Sequence, residues 1–105
     1  MAGNPLLAGL KATHPGEVLR EDVLPALGLA KAEVARKLGI SRAMLYAILD
    51  EKAPVTTSMA LRLAKLLGTS PEVWANLQRD YNFRRLERGM AQELAAIETI
   101  APASS

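Results

Sequence analysis

From residue 13 onward the chain is a succession of short blocks in which apolar side chains recur at helical spacing, each closed by Gly, Pro or Ser. Recurrence at i, i+3 and i+4 marks one buried face of an amphipathic helix. Val18, Leu19 and Val23 define the first block. Pro15 suits its first turn, where a backbone N–H has no partner, and Glu17, Glu21 and Asp22 lie toward its front, where they offset the helix dipole. Pro25 disfavours an α conformation at the residue before it, so this helix is expected to stop near Leu24. Beyond Gly28 a second block spans 31–38, with Val34, Ala35 and Leu38 inward, and Gly39 is placed to end it as a C′ glycine. Ser41 is positioned to cap a third helix to about residue 49, with Leu45, Ile48 and Leu49 inward. Thr57 is expected to cap a fourth, whose Met59, Ala60, Leu63, Leu66 and Leu67 form a wide apolar stripe ended by Gly68. Ser70 as cap and Pro71 in the first turn open a fifth, with Val73, Trp74, Leu77 and Tyr81 as its expected inner face. Beyond Asn82 the sequence stays compatible with helix, although Gly89 weakens it by about 1 kcal/mol relative to Ala.

Composition agrees with an all-α fold. The 105 residues are 50% apolar, carry only four aromatics and are rich in strong helix formers. That length suits one domain with a core of its own. The expected organisation is an N-terminal arm over residues 1–13, a domain over 14–83 and a helical extension over 84–105 that frays from residue 101. The absence of cysteine excludes disulfides, thiolate metal sites and thiol catalysis. His14 has no second histidine beside it, so no metal site is expected, and its anticipated role is local structure ahead of the first helix. There is no nucleophile with a base and no phosphate loop, so neither catalytic residues nor a cofactor is expected. No apolar run approaches a membrane span and the start lacks a basic leader, so a cytoplasmic protein without membrane contact is anticipated.

Charge adds a location. The net charge is only +2. Residues 31–49 nevertheless hold Lys31, Arg36, Lys37 and Arg42 against Glu33 alone. This stretch, KAEVARKLGISRAMLYAILD over 31–50, also has what a helix-turn-helix requires: small Ala35 where a second helix crosses, Gly39 for the tight turn, and Val34, Leu38, Ile40, Leu45 and Ile48 to lock the pair. An ordinary αα-hairpin shares part of that pattern. With Leu45 and Ile48 inward, the third helix turns Ser41, Arg42, Ala43, Tyr46 and Ala47 outward, with Met44 near the boundary. Arg42 at the helix start has the reach to pair with guanine O6 and N7 or to clamp a phosphate. Ser41 and Tyr46 are hydroxyl donors, with capping the first role of Ser41, while Ala43 and Ala47 allow close approach and contact with a thymine methyl. Lys31, Arg36, Lys37 and Lys52 surround this face as candidates for backbone phosphates, or as ordinary solvated charges.

The chain resembles the HigA/VapI-type antitoxins, a subgroup of the XRE (Cro/C1-like) helix-turn-helix proteins, over residues 14 to about 83. The segments that carry the resemblance are HPGEVLRE at 14–21, LGL at 27–29, the helix-turn-helix, Thr57 with MALRLA at 59–64, and GTSPEVWANLQ at 68–78 followed by Tyr81. It implies a five-helix, λ-repressor-like DNA-binding bundle acting as a homodimer on a palindromic operator. It also implies a RelE/HigB-like toxin that cleaves mRNA, neutralised by complex formation, with autorepression of the shared operon. The fifth helix, through Val73, Trp74, Leu77 and Tyr81, is the expected dimer contact. Where such proteins often carry a Ser or Thr cap and then Gln at the second helix, this chain has Ala30, Lys31 and Ala32. A polar pair frequent in the third helix is replaced by Ala43 and Met44. A stand-alone repressor, and a protein-interaction module that never touches DNA, are the alternatives.

Overall fold

A computed structural model describes residues 13–101, and every regular element among them is helical. The expected arm, save Thr13, and the last four residues lie outside the described part. Helix α1 is one continuous element in three segments: an α turn Pro15–Val18, a π turn Leu19–Val23 and an α turn Leu24–Leu27. It is followed by α2 (Lys31–Leu38), α3 (Arg42–Leu49), α4 (Thr57–Leu67), α5 (Pro71–Gly89) and the short α6 (Ala91–Ala95).

The structure departs from the sequence pattern first at α1 and at the cap of α4. Helix α1 does not stop at Leu24. Its π turn lets the Leu24 N–H reach back five residues to the Leu19 carbonyl, so Pro25 falls in the first turn of a new α segment, where its missing donor leaves no gap. The helix runs to Leu27 and ends at Gly28. Helix α4 is capped by Thr56 rather than Thr57: the Thr56 hydroxyl accepts from the Met59 N–H at 3.2 Å. Ser41 and Ser70 cap α3 and α5 as expected, accepting from Met44 N–H at 3.0 Å and Val73 N–H at 3.4 Å. Ala30 at the start of α2 has no capping side chain.

One core joins the elements. Leu19 of α1, Val34, Ala35 and Leu38 of α2, Leu45, Ile48 and Leu49 of α3, and Met59, Ala60 and Leu63 of α4 are buried together with Val55 and Trp74. Each large aliphatic side chain so buried stabilises the fold by roughly 1.5–3 kcal/mol before chain entropy is counted. Helix α5 meets this core through Trp74, with Ala75 and Leu77 packed against it, and Gln78 and Tyr81 continue the stripe of Trp74 along the helix. Val73, expected inward, is 48% exposed, because it lies a step of about 100° away from Trp74 around the helix. Gln78 takes the inner position that the apolar pattern did not reveal. Its Oε1 accepts from the Val55 N–H at 2.7 Å, and its Nε2 donates to Asn82 Oδ1 at 3.0 Å. The Trp74 indole N–H donates to Thr69 Oγ1 at 2.9 Å, so both buried polar groups are satisfied.

Candidate nucleic-acid interface

Helices α2 and α3 are joined by Gly39, Ile40 and Ser41. Gly39 has φ 74°, which a glycine adopts without the steric cost other residues meet. A Cβ there would also lie 2.8 Å from Arg62 Nη1, whose guanidinium donates to the Leu38 carbonyl at 2.7 Å and ties α4 to the end of α2. Ile40 packs against the core and sets how α3 leaves the turn.

The pose of α3 is fixed from a second side. Gly16 of α1 approaches so closely that a Cβ on it would fall 1.9 Å from the Ile48 carbonyl oxygen. Arg20 Nη1 donates to the Leu49 carbonyl at 2.7 Å and to Glu51 Oε2 at 3.3 Å, while its Nε pairs with Glu21 at 2.8 Å. These carboxylates hold the Arg20 pKa above its ordinary range. Glu51 occupies the left-handed region at φ 62°, an uncommon conformation for a residue with a side chain, directly after α3. Nothing in the sequence pattern marks Arg20, Glu51 or Arg62 for these roles. Long-range carbonyl partners leave no spacing signal.

Helix α3 thus presents a fixed outer face. Ser41, Arg42, Ala43, Met44 and Tyr46 are exposed and Ala47 is half-buried, so all six residues expected to face outward reach the surface. Arg42, in the first turn, has no ion-pair partner among the described residues. Lys31 at the start of α2 lies with its Nζ 5.7 Å from the centre of the Tyr46 ring, within range of a cation–π attraction. Lys52 is exposed just beyond α3.

The remaining basic candidates are partly neutralised. Arg36 bonds Glu33 through two nitrogens, and Lys37 Nζ lies 3.8 Å from the same carboxylate. The hydrogen bonds from Arg36 hold the Glu33 carboxyl below its ordinary pKa. The most available cations are therefore Arg42 and Lys31, together with Lys52.

Of the α5 residues expected between subunits, Trp74 is buried within the chain itself, Leu77 and Tyr81 are half-buried, and Val73 is exposed. The exposed apolar character of this helix continues at Phe83 and Leu86, 65% and 54% exposed. His14 caps α1: its Nδ1 accepts from the Gly16 N–H at 2.8 Å and its ring meets Tyr81. Among the described residues no cluster of His, Cys, Asp and Glu could hold a metal ion, and no helix is long and apolar enough to cross a membrane.

A short helix held by α1 and α2, with an exposed, basic-tipped face, is the geometry of a DNA-reading helix-turn-helix. The chain belongs to the helix-turn-helix family HTH_3, which it matches over residues 19–74. It is 33% identical to virulence-associated protein I of Dichelobacter nodosus, over 91% of this chain and 85% of that protein. The structure is similar to that of antitoxin GraA in complex with its operator, with a TM-score of 0.82 and 36% identity over 90% of this chain and 96% of the other. It is also similar to Pseudomonas aeruginosa antitoxin HigA with the higBA promoter, with a TM-score of 0.81 and 30% identity over 86% and 99% of the two chains.

Proposed function

We propose that this protein is the antitoxin of a HigBA-like type II module and a sequence-specific repressor of its own operon. The observation that carries the reading is the face of α3. Ser41, Arg42, Ala43, Met44 and Tyr46 stand exposed on a helix whose other side is locked by Gly16, Arg20 and the shared core. The antitoxins it resembles in structure are described with operator or promoter DNA.

Arg42 is assigned to a guanine edge in the major groove, with Ala43 and Ala47 allowing the helix to approach. Ser41 combines its cap with a phosphate contact. Lys31, Tyr46 and Lys52 are assigned to the DNA backbone, with Arg36 and Lys37 adding weaker electrostatic support because Glu33 shares their charge. Dimerisation is assigned to α5, with Val73, Leu77 and Tyr81 extended by Phe83 and Leu86. Twofold symmetry then sets two α3 helices about 34 Å apart, one turn of DNA, on a palindromic operator. The work of the molecule is binding throughout, without catalysis and without a cofactor, in the cytoplasm.

The test is co-expression with the product of an adjacent small open reading frame, scored by growth and co-purification. A neighbour that is toxic alone, harmless in the pair and recovered in complex with this chain is the expected result. Absence of any toxic neighbour contradicts the antitoxin assignment and leaves a stand-alone repressor.

A further inference from the structure

At positions 43 and 44 the recognition helix carries Ala and Met, with no hydrogen-bonding side chain at either. Successive residues are separated by about 100° around a helix, so Arg42 and Met44 flank Ala43 on the two edges of the exposed face. Both lie in the first turn of α3, the end that meets base edges in this class of docking. Met44 is 45% exposed, and its backbone is fixed by the hydrogen bond from its N–H to Ser41 Oγ.

Behind Met44 is an apolar recess. A cavity of about 230 Å³ between α3 and the start of α4 is lined by Met44, Ile48 and Met59 among its apolar side chains and by Thr56, Ser58 and Arg62 among its polar ones. A thioether is unbranched and polarisable, and fits itself to irregular apolar surfaces. In the major groove the apolar base feature is the 5-methyl of thymine; the other edges offer donors and acceptors that Met44 cannot satisfy.

We infer that Met44, backed by this recess, reads the 5-methyl group of a thymine in each operator half-site. The inference rests on the DNA-reading role proposed above and adds the base that the apolar side chains of Ala43 and Met44 select. Ala43 leaves room for the approach, and the recess lets the Met44 side chain settle against the methyl without displacing α3.

The experiment separates this contact from DNA binding as such. The full-length chain selects duplexes from a random-sequence library, and each thymine of the enriched half-site is then replaced symmetrically by deoxyuridine, which removes only the methyl. Affinity is read by fluorescence anisotropy for the wild type and for Met44→Gln, Met44→Leu and Arg42→Ala. One position is expected at which uracil weakens wild-type binding by about fourfold per half-site, the equivalent of one buried methyl. That penalty persists in Met44→Leu and Arg42→Ala and disappears in Met44→Gln. Circular dichroism on Met44→Gln confirms that the exposed substitution leaves the fold intact. A flat uracil scan of an enriched sequence, or an equal penalty in Met44→Gln, overturns the assignment to Met44. Failure to enrich any sequence overturns the DNA-reading role beneath it.

Discussion

The imidazole of His14 meets the ring of Tyr81 edge to face, with centroids 4.9 Å apart and planes at 80°. This contact joins the first residue before α1 to the last inward-facing turn of α5, across 67 residues of sequence, and places His14 at 2% exposure. Its Nδ1 accepts the Gly16 N–H, so that nitrogen must be free of a proton. Burial pushes the His14 pKa below its ordinary value, and the nearby Glu51 carboxylate only partly opposes this.

A pH dependence of stability follows. In the unfolded chain the imidazole takes up its proton near 6.5, whereas the folded chain does so only at lower pH. The unfolded state therefore gains protons first as pH falls. Stability that His14 contributes above that ordinary value is expected to fall away below it, through the folded pKa. Urea midpoints measured from pH 7.5 down to 5 are expected to show this loss. His14→Asn, which retains an N-cap acceptor without a titrating ring, is expected to flatten that part of the profile.

Two glycines predict opposite outcomes. Gly16→Ala sets a Cβ 1.9 Å from the Ile48 carbonyl oxygen, a backbone atom that cannot rotate away. Overpacking of this kind costs typically about 1–3 kcal/mol, and contact with backbone belongs at the top of that range or above it. Gly89→Ala closes α5 with nothing within 4 Å of the new methyl, and a stabilisation of about 0.5–1 kcal/mol is expected from helix propensity. Denaturant unfolding of the pair checks both signs.

Ala30 has the extended backbone of an N-cap, φ −64° and ψ 147°, but no side chain that accepts a hydrogen bond. Ala30→Ser is expected to stabilise the domain by about 1 kcal/mol. A melting temperature raised by several degrees is the corresponding readout for a domain of this size. An unchanged midpoint would show that these N–H groups are already satisfied by solvent.

The helices were legible because their period, caps and stops are local. Ser41, Gly39 and Ser70 act where the sequence places them, and the outward set on α3 follows from the inward set of Leu45 and Ile48. Pro25 misled because a π turn, which no residue signals, shifts the hydrogen-bond register by one and absorbs the proline. Thr56 and Thr57 are adjacent hydroxyl residues, and only the backbone geometry decides which caps. Val73 and Gln78 break the apolar pattern together: an apolar residue faces solvent while an amide is buried, because Gln78 completes the backbone bonding of Val55 in the loop before α4. The carbonyl-bound arginines Arg20 and Arg62, which hold α3 and α2 in place, act across more than twenty residues of sequence and leave no periodic trace.

If α3 reads DNA through its exposed first turn, Arg42→Ala is the variant that must weaken specific binding. Operator affinity is measured for the wild type and the variant over a range of salt, beside a control duplex of scrambled sequence. Steep salt dependence is expected for both proteins. Arg42→Ala is expected to lose about 1–3 kcal/mol of specific binding, with little change on the scrambled duplex or in thermal stability. Equal affinity of the two proteins for the operator would remove Arg42 from the interface and contradict the placement of α3 in the major groove.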